Sequence, residues 1–105
     1  MSYQCIEPAQ AKTMLEQPLQ IADIRDPASF AQGHLPGAVH LSNQNLEQFL
    51  QEADPDQPLL VVCYHGHSSQ SAANFLAERG FDQVFSLNGG FEQWRGLYPE
   101  LVSQD

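Results

Sequence analysis

LLVVCYHGHSSQSAANFLAERG, residues 59–80, is the stretch that decides the fold. Its four leading apolar residues, Leu59 to Val62, are bounded by turn signals, which is typical of a strand buried on both faces in a parallel sheet. A helix is predicted from Ser69 to Arg79, and Gly80 ends it. The residues expected on its inner face are Ala72, Phe75 and Leu76. A strand followed by a loop and a helix is the repeating unit of an α/β protein.

The rest of the chain alternates the same two patterns. Further strands are predicted at residues 3–6, 19–24, 38–41 and 84–87. Pro8 opens a first helix, Asp26-Pro27 precedes a short second one, and Ser42 is the predicted cap of a third. The short second helix runs through Phe30 and Ala31. The apolar positions expected on one face of the first and third helices, and facing inward on a last one, are Ala11, Met14, Leu15, Leu46, Phe49, Leu50, Ala53, Phe91, Trp94 and Leu97. This alternation predicts an α/β fold with right-handed crossovers.

Length and composition indicate one soluble unit. A chain of 105 residues with 42% hydrophobic residues is large enough for one core and too small for two, so residues 1–105 are predicted to be a single domain. No run approaches the roughly 20 apolar residues that span a bilayer, and Met1–Gln10 lacks a leader pattern. We therefore expect a cytoplasmic protein in which Cys5 and Cys63 are free thiols.

The charge balance excludes two classes of partner. Thirteen acidic residues against four scattered basic ones give a formal net charge of −9 with histidines neutral. Such a field repels nucleic acid and anionic membranes, so neither is expected as a partner.

Cys63 follows directly after the central predicted strand. In a parallel sheet, ligands bind at the carboxyl ends of strands, where the positive end of the next helix lowers the pKa of a thiol. Gly66 permits backbone angles that let several amide N–H groups converge on one anion. Ser68 and Ser69 have two open readings, as helix caps or as hydroxyl donors to that anion.

Other readings of this segment remain open at this point. Cys63 is either a nucleophile, a buried structural cysteine or, with His65 and His67, a metal ligand, although the alternate spacing differs from the paired spacing of common zinc sites. The two histidines either supply switchable charge to a substrate anion or are solvated. Tyr64 is a pocket wall or a packing residue. Cys5 is expected to be a small core or surface residue.

Four ordered motifs resemble those of a rhodanese domain, and they cover nearly the whole chain. They are Asp23-Ile24-Arg25-Asp26, the run from Phe30 to Ala38, the loop from Cys63 to Ser69, and the run from Asn88 to Trp94. The short length and the Cys63 loop are most similar to those of bacterial single-domain thiosulfate sulfurtransferases in this family. The resemblance implies a rhodanese-like α/β fold: a five-stranded parallel sheet flanked by helices on both faces.

The resemblance also implies the chemistry. Cys63 is expected to be the nucleophile that carries sulfur from thiosulfate as a persulfide, by double displacement, to cyanide, a dithiol or thioredoxin. The expected substrate-binding residues are Tyr64, His65, Gly66, His67, Ser68 and Ser69. No metal or organic cofactor is implied, and both a monomer and a homodimer are compatible with the sequence. The alternative is a persulfide carrier or protein-binding module that does not turn over small donors.

Structural roles are implied for the other motifs. Asp23 and Arg25 are expected to form an ion pair, Gly33-His34 to hold a loop by a hydrogen bond, and Gly89-Gly90 and Trp94 to serve in turns and packing. The chain departs from many rhodaneses in having no Lys or Arg in the Cys63 loop. Related phosphatases hold phosphate with an arginine where this chain has Ser69, so phosphate-ester chemistry is not expected.

Overall fold

Five short strands are present in the computed structural model, which describes residues 3–105. They are β1 (Gln4–Ile6), β2 (Gln20–Asp23), β3 (Val39–His40), β4 (Leu59–Val62) and β5 (Val84–Leu87). All pair in parallel, in the order β1-β5-β4-β2-β3. The apolar run of β4 is central and all four of its residues are buried, as its composition predicts. The sequence predicts no leader in Met1–Gln10. The first two residues of that segment, Met1 and Ser2, lie outside the described residues.

Helices cover both faces of this sheet. They are α1 (Pro8–Met14), α2 (Pro27–Gln32), α3 (Leu46–Glu52), α4 (Ser68–Glu78) and α5 (Gly90–Leu97), followed by a 3-10 turn at Pro99–Leu101. One core cluster joins the sheet to α1 and α5 and includes Ala11 and Trp94. The other joins it to α3 and α4 and includes Ala73 and Leu76. The expected five-stranded parallel α/β fold is confirmed.

Two helix starts show how local sequence sets the boundaries. Glu7 and Pro8 begin α1 through a capping box, in which the Gln10 side chain accepts from the Glu7 N–H. The predicted cap of α3 is wrong: its N-cap is Asn45, whose Oδ1 accepts from the Ser42 N–H at 2.8 Å. Ser42 therefore begins a turn that precedes the helix instead of capping it.

Two predicted inward positions are also wrong. Phe75 is 41% exposed, because the buried stripe of α4 runs through Ser69, Ala73 and Leu76. Leu97 is 52% exposed, since the residue one turn after Trp94 is Tyr98, whose ring lies 4.9 Å from the indole. Adjacent helical positions differ by about 100° in direction, so one residue of error moves a side chain from core to solvent.

Two further observations concern the cysteines and the lengths of the helices. Both cysteines are free thiols, Cys5 exposed on β1 and Cys63 buried. Within residues 3–105, none of the helices has both the length and the apolar character needed to cross a membrane.

Candidate active site

Cys63 is the first residue after β4, at the carboxyl edge of the sheet, and only 4% of it is exposed. Its Sγ accepts the N–H of Gly66 at 3.1 Å and the N–H of Ser69 at 3.2 Å. The Ser69 hydroxyl lies 3.2 Å from the same sulfur. The thiol therefore sits in a cradle of donors at the start of α4, where the helix dipole also favours negative charge.

These donors change the acidity of the thiol. Burial raises the pKa of Cys63, but hydrogen bonds from the Ser69 hydroxyl, the Ser69 amide and the amides of Gly66 and His65 more than offset it. The net pKa is below that of an ordinary cysteine. Since the thiolate is the nucleophile, the site favours the reactive form.

The loop is held from its other side by the first turn of α5. The Phe91 N–H donates to the carbonyl of Cys63 at 2.8 Å, and the Glu92 N–H donates to the carbonyl of Tyr64 at 3.1 Å. A Cβ at Gly90 would lie 2.6 Å from the Cys63 carbonyl oxygen. The glycine therefore permits a close approach of two backbones, which is the turn and packing role implied for this motif.

The predicted substrate-binding residues divide into two groups. Gly66 and Ser69 are buried and face the sulfur, whereas four are exposed around it: Tyr64, His65, His67 and Ser68. Gly66 has φ +90°, and a Cβ there would lie 2.9 Å from the Gly89 nitrogen. The structure thus brings Gly66, Ser69 and the His65 amide to the Cys63 sulfur, and it leaves the side chains of the other predicted residues exposed to solvent.

Serine capping of α4 is not observed. The N-cap residue is His67, and it makes no side-chain cap hydrogen bond. The Ser69 N–H donates to the Cys63 sulfur instead, so the thiol takes the place of a capping oxygen. In the part of the chain that the structure describes, no three His, Cys, Asp or Glu side chains are grouped to hold a metal ion.

The Tyr64 side chain is held by a hydrogen bond to α2. Ser29 donates its hydroxyl proton to Asp26 at 2.8 Å, so the Tyr64 hydroxyl, 2.9 Å away, donates to Ser29. The Ser29 hydroxyl and then its N–H lower the pKa of Asp26. The Tyr64 side chain, 40% exposed, is therefore tethered to the first turn of α2 by this hydrogen bond.

The expected Asp23–Arg25 pair is present and buried. Arg25 Nη2 lies 2.7 Å from Asp23 Oδ2 and also donates to the Gly33 carbonyl at 2.7 Å. The guanidinium carbon lies 4.1 Å from the centre of the Phe91 ring. His34 Nδ1 lies 2.7 Å from the Phe30 carbonyl, the loop contact implied for this motif. The Arg25 side chain is 4% exposed, so its cation is used inside the fold.

The sequence reasoning missed one polar residue beside this site. Ser86 is fully buried in β5, and its Oγ lies 2.7 Å from Ser69 Oγ. The available signal was a hydroxyl inside the otherwise apolar run VFSL, residues 84–87.

Comparisons with known proteins agree with this geometry. The family model "Rhodanese-like domain" matches residues 7–97. A thiosulfate sulfurtransferase GlpE of Stutzerimonas stutzeri is 55% identical over 95% of this chain and 92% of its own. One from Pseudomonas aeruginosa is 52% identical over 97% and 93%.

Solved structures share the fold. The reduced Bacillus anthracis CoADR-RHD covers 95% of this chain and 18% of its own, at 23% identity and a TM-score of 0.81. A rhodanese-related protein of Thermoplasma volcanium covers 98% and 100%, at 22% identity and a TM-score of 0.79. The family expected from the four sequence motifs is confirmed, and the chain belongs to the rhodanese-like domain family.

Proposed function

We propose that this protein is a thiosulfate sulfurtransferase that transfers the outer sulfur of thiosulfate to a thiophilic acceptor through a persulfide on Cys63. The observation that carries the proposal is the cradle around the Cys63 sulfur, in which two amides and a hydroxyl favour the thiolate. The relatives named thiosulfate sulfurtransferase support the same activity.

In the first step, the Cys63 thiolate attacks the outer sulfur of thiosulfate. A new S–S bond forms to Cys63, the S–S bond of thiosulfate breaks, and sulfite leaves with its electron pair. The outer sulfur of the persulfide then carries the negative charge. The amides of Gly66 and Ser69 donate to the Cys63 sulfur before any substrate binds, which supports the proposal that the loop from Tyr64 to Ser69 stabilises this charge.

In the second step, a nucleophilic acceptor takes the outer sulfur and releases the Cys63 thiolate. Cyanide gives thiocyanate. A dithiol, whether small or on a protein such as thioredoxin, first becomes a persulfide, and its second thiol then forms a disulfide and releases hydrogen sulfide. We further propose that the 105 residues act as one domain in the cytoplasm, where free thiols such as Cys5 and Cys63 persist.

The test compares the intact mass of three proteins after thiosulfate treatment: the wild type, Cys63→Ser and the matched control Cys5→Ser. We expect one added sulfur atom on the wild type and on Cys5→Ser, and none on Cys63→Ser. Thiocyanate formation from cyanide should follow the same order. Full transfer by Cys63→Ser would overturn the proposal.

The same experiment separates the alternative function. A persulfide that forms on Cys63 and passes only to a protein acceptor, with no thiocyanate produced, would identify a carrier instead of an enzyme that acts on small acceptors.

A further inference from the structure

Ser86 is a polar residue in an apolar part of the core. In β5 it is paired between Val61 of β4 and Cys5 of β1, and its side chain is completely buried. Val84, two residues earlier and on the same side of the sheet, packs in the apolar cluster that contains α4. A hydroxyl at such a position is unfavourable unless it is hydrogen-bonded.

The Ser86 hydroxyl has one side-chain partner among residues 3–105, the hydroxyl of Ser69 at 2.7 Å. Ser69 Oγ lies in turn 3.2 Å from Cys63 Sγ. The three groups therefore form a buried chain from the middle of the sheet to the sulfur, and each hydroxyl contributes one proton to it.

The protonation state of Cys63 decides which group donates in each hydrogen bond of this chain. With a thiolate, Ser86 donates to Ser69 and Ser69 donates to sulfur, so both hydroxyl protons are used. With a thiol that donates to Ser69, the Ser69 proton must turn to Ser86, and the Ser86 proton then has no side-chain acceptor among the described residues. The chain satisfies all of its protons when the sulfur is ionised.

We propose that Ser86 is a positioning residue, whose hydroxyl orients the Ser69 proton toward Cys63 and thereby stabilises the thiolate. The inference rests on the proposed role of Cys63 as the nucleophile. Ser86 makes no hydrogen bond to the sulfur. It acts through Ser69, since a hydroxyl that accepts one hydrogen bond is a stronger donor in the next.

Charged groups on the surrounding elements do not explain this effect. Titratable residues of the Cys63 loop and of the elements packed around it include Cys5, Glu7, Asp23, Arg25, Tyr64, His65, His67, Glu78, Glu92 and Arg95. None of their side chains hydrogen-bonds to the Cys63 sulfur, whose donors are the Ser69 hydroxyl and backbone amides of the loop. These groups are also identical in the variants below, so their contribution to the thiol pKa cancels in the comparison.

The test titrates the Cys63 thiolate by its ultraviolet absorbance in a Cys5→Ser background, with a Cys5→Ser/Cys63→Ser protein as baseline. We expect Ser86→Ala to raise the pKa of Cys63 by about 0.3 to 0.5 units. At a pH below the pKa, this corresponds to a thiolate fraction about two- to threefold lower. The rate of persulfide formation should fall by the same factor at low pH and equal that of the Cys5→Ser parent at high pH. A merely structural loss would lower the rate at every pH.

Two further comparisons complete the test. Ser86→Thr and Ser86→Val have the same shape, so any packing effect is shared, and only the threonine should retain a low pKa. In a Ser69→Ala background, Ser86→Ala should leave the pKa unchanged. An unchanged pKa in Ser86→Ala, equal values for threonine and valine, or a persistent shift without Ser69 would each overturn the inference. The titration measures the pKa of Cys63 and does not depend on sulfur transfer. A wild-type protein that fails to transfer sulfur would therefore refute the proposed function without deciding the role of Ser86.

Discussion

Gly90, the first residue of α5, lies against the backbone of the Cys63 loop, and adding one methyl group there tests how the loop is held. Gly90 has φ +59°, and its Cβ would lie 2.6 Å from the Cys63 carbonyl oxygen and closer still to the carbonyl of Tyr64. These are backbone atoms and cannot rotate away. Gly90→Ala should therefore move the loop away from α5.

The magnitude follows from two terms. A left-handed conformation costs a residue with a Cβ about 1 to 2 kcal/mol. Overpacking against a fixed backbone costs about 1 to 3 kcal/mol more. We therefore expect Gly90→Ala to lower the free energy of unfolding by about 2 to 5 kcal/mol. It should also raise the pKa of the Cys63 thiol, because the amides that favour the thiolate would be displaced.

Two other glycines are matched controls. Gly37 has φ +82° with no atom within 4 Å of its Cβ position, so Gly37→Ala should show only the conformational term of about 1 to 2 kcal/mol. Gly96 is exposed within α5, also has open space, and should give about 0.5 to 1 kcal/mol of added stability as alanine.

Urea unfolding of the three variants provides the assay. The excess cost of Gly90→Ala over Gly37→Ala, about 2 kcal/mol, corresponds to a midpoint lower by about 1 M. A Gly90→Ala protein that is no less stable than Gly37→Ala, or that keeps the wild-type pKa at Cys63, would show that α5 does not hold the loop in this way.

Three other predictions use different parts of the structure. Asp23→Asn leaves the buried Arg25 cation without its partner and should cost about 3 kcal/mol in urea unfolding, whereas Glu92→Gln breaks an exposed pair and should cost less than about 1 kcal/mol; equal losses would contradict this. The rate of persulfide formation on Cys63 should rise with pH and reach its plateau at a pH below the pKa of a free cysteine. Ser69→Ala should shift the start of that plateau to higher pH. A rate that does not depend on pH would contradict this prediction. Because a net charge of −9 repels a dianion, kcat/KM for thiosulfate should rise or stay level from about 0.01 to 0.15 M ionic strength, measured with several inert salts; a steep fall would instead indicate a dominant local positive charge.

The elements that sequence predicted well are those with a strong local signal. The strands β4 and β5, of four residues each, were predicted with the observed bounds, and α4 begins and ends within one residue of the predicted positions. Side-chain direction was less predictable at Phe75 and Leu97, because it depends on which residue of a turn meets the sheet. That orientation is fixed by tertiary packing and not by spacing alone.

The site could be predicted only in part for a related reason. Cys63, Gly66 and Ser69 lie within seven consecutive residues, so the chemistry of a thiol followed by a glycine-containing loop and a helix start is visible in the sequence. The contact of Ser86 with Ser69 joins residues 17 positions apart and exists because β5 lies beside β4 beneath α4. Sequence spacing contains no information about that adjacency.

The Cys63 loop has no Lys or Arg, but it can still hold an anion because hydrogen bonds from α5 orient its peptide groups. In a trans peptide, the C=O of one residue and the N–H of the next point in opposite directions, and the described residues contain no cis peptide. The carbonyl of Tyr64 points to the Glu92 N–H on α5, so the N–H of His65 points away from α5. Burial raises the pKa of the Cys63 thiol, and this His65 amide is among the donors that more than offset it. The first turn of α5 thus binds the loop carbonyls while the loop amides are left for the sulfur, and positive side chains become unnecessary for holding the charge.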